Sequence, residues 1–179
     1  MTNFRHHLQL SPKALRVLLY LYIGFLGILC LLAIAGRVHE PALNLAVPAL
    51  AKIGDALLID FNLMLVCLLL SLIPVKWPIH LIVFFVILGT SEGLVRVAFN
   101  LTWAQLPVIL IFLLQMGSSV WFVCWLARIS LHIIDLTRFG RSDHYLKNWT
   151  QSLVVALKPV WAPLSTSLIV NLITRALIS

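Results

Sequence analysis

Few side chains in this sequence combine the type and spacing that chemistry needs, and they are His80, His132, Asp60, Glu92, Arg96, Arg128 and Asp135. His80 and His132 would serve as axial ligands of a b-type haem if two antiparallel helices brought them to one depth. The alternative is a packing histidine with a local hydrogen bond, for which Asp135, one turn after His132, is a ready partner. Glu92 and Arg96 are four apart, acid first, and pair on one helix face. Arg128, His132 and Asp135 share another face, either as a gate or proton relay or as a charged helix end reaching the aqueous surface. Asp60 stands inside an apolar run and is the first residue to substitute in a transport assay. The string GTSEG, from Gly89 to Gly93, matches GxSxG, but a nucleophile elbow needs a strand, a sharp turn and a helix. Ser91 also follows His80 by eleven residues, about 16 Å along a helix at ~1.5 Å per residue. We therefore expect no enzyme and no catalytic residue. Cys30, Cys67 and Cys124 each sit alone in apolar surroundings with no CxxC pair, which reads as packed thiols rather than a redox couple or metal clamp.

The elements that must position these residues are set by composition. Of 179 residues 61% are hydrophobic and 11% charged, with a mean hydropathy of +1.04. That is more apolar surface than a soluble core of this size can hide. Several apolar runs approach the ~20 residues a helix needs to cross a bilayer. The expected fold is all-α: a single membrane domain over 1–179, a polytopic transmembrane bundle of about five spans at 14–35, 56–74, 79–98, 103–134 and 160–178. Surface segments fall at 37–55 and 141–158. Ser11 and Pro12 suit the start of the first helix. Its apolar run ending in Ala33, Ile34 and Ala35 also has the form of a secretory signal, and we read it as an uncleaved span. On this scheme Asp60 and Asn62 lie in the first two turns of the second span, close to water. Gln115, Gly117, Ser118 and Ser119 mark a helix contact in the fourth. In the second surface segment Leu146, Trp149, Leu153 and Leu157 repeat at helical spacing, giving an amphipathic helix on the membrane surface.

The formal net charge of +7 is spread over short loops rather than gathered in one patch, so orientation explains it better than nucleic acid does. Arg5, Lys13, Arg16, Lys76, Arg128, Arg138, Arg141, Lys147 and Lys158 fall on one side and Arg37, Lys52, Arg96 and Arg175 on the other. Nine against four places the N-terminus in the cytoplasm and, with five crossings, the C-terminus outside. If the fifth segment folds back without crossing, both ends stay inside. The order span, surface segment, span occurs twice, and sliding Ile59–Ile73 forward by about 105 residues lays it on Leu164–Ile178. Odd spacing turns the second copy over, giving an inverted repeat with amphipathic surface helices.

Three stretches carry a family likeness: PALAKIGDALLIDFN from Pro48, TQSLVVALKPVWAP from Thr150 to Pro163 after Arg128 has closed a span, and LPVILIFLLQMGSSVWF from Leu106. They resemble the YggT (YlmG) family of small bacterial and plastid membrane proteins, over roughly residues 20 to 179. The family's paired arginines are represented only by Lys52 and Lys158, and the second copy lacks the family's ID dipeptide. The resemblance implies a role in envelope processes such as osmotic tolerance, division-site organisation or cytochrome complex assembly, and it brings no catalytic residues. We expect a non-enzymatic scaffold or assembly subunit in the bacterial inner membrane. Its partners would be the lipid bilayer and other integral membrane proteins, with self-association, and not nucleic acid. The alternatives are a small transporter or channel subunit using Asp60, Glu92, Arg96 and Arg128, and a haem or quinone subunit using His80 and His132; the leading reading requires no cofactor.

Overall fold

A computed structural model describes residues 12–37, 50–99, 106–138 and 144–178. Almost all of them are helical, in α1 (Pro12–Ile34), α2 (Leu50–Leu70), α3 (Trp77–Phe99), α4 (Leu106–Arg138), α5 (Tyr145–Leu157) and α6 (Trp161–Leu177). The first four are long and apolar enough to cross a membrane, while α5 and α6 form a pair bent by 74°. The bend falls at Lys158, Pro159 and Val160. Pro159 has no N–H to continue the helix of α5.

The protein is built around α4, which packs against α2, α3, α5 and α6, whereas α1 leans on α3. At 33 residues α4 is about 50 Å long, well over the ~30 Å of hydrocarbon it has to cross. Its C-terminal turns are wrapped by α5 and the end of α2. There Lys76 Nζ meets Asp135 Oδ1 at 2.6 Å and Arg138 Nη2 donates to the Pro74 carbonyl at 3.2 Å.

Contacts fix the directions of the helices. At one end Val97 packs with Ile109 and Phe112, and at the other Ile79 packs with Ala127, Leu131 and Ile134, so α3 and α4 are antiparallel. Val160 and Leu164, flanking the start of α6, join the cluster of Leu126, Ile129 and Ile133, while Ile178 reaches Ile109 and Phe112. The chain from α6 to Ile178 thus runs the full distance between the two ends of the bundle instead of folding back.

The bounds of α2 and the buried face of α5 differ from the sequence expectation. The helix expected over 56–74 is α2, Leu50–Leu70, uninterrupted by proline. Residues 50–55, assigned to the surface segment, are its first turns, and Asp60 and Asn62 are mid-helix rather than at an entry. The surface helix α5 does form, but its buried face is one position round. Asn148, Ser152 and Ala156 are buried, Trp149, Leu153 and Leu157 pack beside them, and Leu146 is 67% exposed. Small residues are buried because α5 crosses close over its neighbours. The remaining residues of the surface segments, 38–49 and 141–143 with Arg141 and Asp143, lie outside the described residues, as do Arg5 and 103–105 of the fourth span.

Candidate functional site

The inward face of α6 is written at helical spacing by Leu164, Ser167, Asn171 and Thr174, all buried. Ser167 and Thr174 return their hydroxyls to their own helix, at the carbonyls of Leu164 and Val170. Asn171 has no such local outlet, and a buried amide needs partners. It finds them on two other helices. Its Nδ2 donates to both carboxylate oxygens of Asp60 on α2, at 3.1 and 2.8 Å, and its Oδ1 accepts from Ser119 Oγ on α4 at 2.7 Å. Arg175, one turn further along α6, brings Nη1 to 3.4 Å from Asp60 Oδ1.

Asp60 is only 2% exposed, and its partners within the bundle are one cation and an amide. The arrangement fixes three helices to one another at mid-depth. It also places a carboxylate where a small cation or proton would have to be handled if anything crossed here.

The other sequence candidates are dispersed. Glu92 and Arg96 form the expected pair on α3, half-exposed and away from Asp60. Asp135 is held by Lys76. Arg128 lays its guanidinium over the Trp125 ring at 4.9 Å, a cation–π contact at the end of the span. His80 donates from Nδ1 to the Lys76 carbonyl at 2.9 Å, and its Nε2 is buried without a partner among the described residues. Ile79 and Leu131 share one apolar cluster, so His80 and His132 do lie at similar depth. At that level Ile79, Ala127, Leu131 and Ile134 pack between α3 and α4. Among the described residues no three His, Cys, Asp or Glu side chains gather as a metal site.

The GTSEG string is a packing device. Ser91, in mid-helix, accepts from Tyr22 OH of α1 at 2.9 Å and donates to the Ile87 carbonyl at 2.8 Å. At Gly93 a Cβ would sit 3.0 Å from Phe112 Cζ, so the glycine admits α4. Gly117 instead faces open space, on a groove of about 470 Å³ between α4 and α6 walled by Leu113, Trp121, Pro163 and Val170. Its serines, Ser118 and Ser167, return their hydroxyls to Gln115 and Leu164 carbonyls, so the surface offered is apolar.

Sequence reasoning singled out Asp60 but did not join it to Asn171, Arg175 or Ser119. The available signal was that Asn171 and Arg175, one turn apart in an otherwise apolar span, each need a partner within the bilayer. No family model, no curated protein and no solved structure matches the chain.

Proposed function

We propose that this chain is a non-enzymatic scaffold or assembly subunit of an envelope complex in the bacterial inner membrane, with its N-terminus in the cytoplasm, and a distant relative of the YggT family. The observation that carries the reading is the way α5 is held. Tyr145 OH donates to the Leu72 carbonyl at 2.7 Å and Trp149 Nε1 donates to Ser71 Oγ at 3.0 Å, clamping α5 across the end of the bundle. Lys147, Gln151 and Lys158 then point outward. A rigidly presented basic face at the headgroup level suits recognition of a partner or of anionic lipid better than it suits catalysis. The inverted repeat is part of the same reading: α2 and α6 run antiparallel, although α1 does not grip α2 as α4 grips α6. The test is purification in mild detergent from the native membrane. A stoichiometric membrane partner retained by the wild type and lost in Lys147→Glu/Lys158→Glu supports the scaffold; a partner-free preparation defeats it.

A transporter or channel subunit is the second reading, favoured by the carboxylate of Asp60 at mid-depth among three helices. Ion or solute flux in liposomes that disappears in Asp60→Asn would establish it.

A further inference from the structure

Successive residues of a helix are about 100° apart, so the inward turn of Asp60 sends Asn62 to the opposite side of α2. Asn62 is exposed there, in the middle third of a helix long enough to span the membrane, and forms no hydrogen bond among the described residues. Its side chain is too short to reach the headgroups, and lipid tails offer neither donor nor acceptor. Its neighbours on that face are Leu58, Leu65 and Leu69, exposed by 60%, 42% and 54%. The spacing 58, 62, 65, 69 alternates four, three and four, the a/d pattern of a two-stranded coiled coil, with Asn62 at an a position and the exposed Asp55 one heptad earlier, in the first turns of the helix.

We propose that this face of α2 is the contact between two copies of the chain, paired in parallel with Asn62 hydrogen-bonded to Asn62. The partner follows from symmetry. All copies enter the membrane the same way up, so a two-fold axis must lie along the membrane normal, which makes the two α2 helices parallel and sets each residue opposite its own counterpart. An amide is both donor and acceptor, so Asn62 is complementary to itself. The leucines above and below pack knobs into holes and fix the register, and the contact lies on the side of α2 away from Asp60, leaving that network undisturbed. This dimer is independent of whatever partner α5 receives.

The experiment uses the purified full chain alone in density-matched detergent, with sedimentation equilibrium as readout. The wild type should be a dimer, and Asn62→Leu should raise its dissociation constant about three- to thirtyfold, the range for polar contacts between membrane helices. Because Asn62 faces lipid, the leucine leaves the fold of each copy intact, which far-UV circular dichroism checks. Disulfide trapping is the second measurement, with Cys30 and Cys124 replaced by alanine and the fully buried Cys67 retained. Leu65→Cys should link two copies, whereas Leu57→Cys, exposed but about 140° round the helix from Asn62, should not. A monomeric wild type, an unchanged constant in Asn62→Leu, or equal trapping at both positions would overturn the proposal.

Discussion

Asp60 is where a single side chain matters most. Its carboxylate is held by Asn171 and Arg175, and removing one partner of a buried pair costs more than the pair itself contributes, because the other charge stays behind in the bilayer. Arg175→Leu should lower stability by about 2 kcal/mol, under the ~3–5 kcal/mol of a fully enclosed pair because Arg175 is partly exposed. Adding Asp60→Asn to that variant should recover most of the loss by removing the orphaned charge; thermal unfolding in detergent would show a double variant more stable than Arg175→Leu alone. Two glycines make a second comparison. At Gly93 a new side chain meets Phe112, so Gly93→Val should cost about 1–3 kcal/mol by overpacking. At Gly117 it meets nothing within 4 Å, and Gly117→Ala should be neutral or stabilise by up to about 1 kcal/mol. Equal shifts in melting temperature for the two would contradict the packing described here.

The elements were more legible than their rotations. Among the described residues the long apolar runs are helices, because a backbone in lipid that is not closed into a barrel satisfies its polar groups within a helix. Which side of a helix faces inward is a tertiary matter. In α5 the repeat of Leu146, Trp149, Leu153 and Leu157 drew the eye to large residues, yet the docked face is centred on Asn148, Ser152 and Ala156, since close crossing favours small ones. For α2, the start at Leu50 moved Asp60 from an entry to mid-helix, and its partner Asn171 lies 111 residues away in sequence, beyond the reach of any local pattern. The periodicity after Arg128 predicted a surface helix and said nothing of these side-chain ties. The geometry of α5 supports its own prediction. Ala156→Leu should destabilise by about 1–3 kcal/mol while Leu146→Gln stays within about 0.5 kcal/mol. Trp149→Phe, which removes the bond to Ser71, should cost about 1 kcal/mol and speed hydrogen exchange in α5 before any other helix.

At the scale of the whole molecule, the basic residues and the direction of α6 make a joint statement about sidedness. Lys76, Arg128, Arg138, Lys147 and Lys158 collect at the end of the bundle that α5 covers, where Val160 and Leu164 pack with Ile129 and Ile133. The opposite end holds the contact of Ile178 with Ile109 and Phe112. Basic residues are retained on the cytoplasmic side, so the α5 end should face the cytoplasm, and Arg37 and Ile178 the other compartment. The helical path decides part of this without the charge rule: Ile178 and Lys147 lie at opposite ends of the bundle whichever way it is inserted. A membrane-impermeant maleimide applied to intact cells should label Arg37→Cys and Ile178→Cys, and should reach Lys147→Cys only after the membrane is opened. Labelling of Lys147→Cys alone would reverse the orientation and leave the fold untouched. Labelling of Ile178→Cys and Lys147→Cys together would instead break the fold, because α6 runs from the end that α5 covers to the end that holds Ile109 and Phe112.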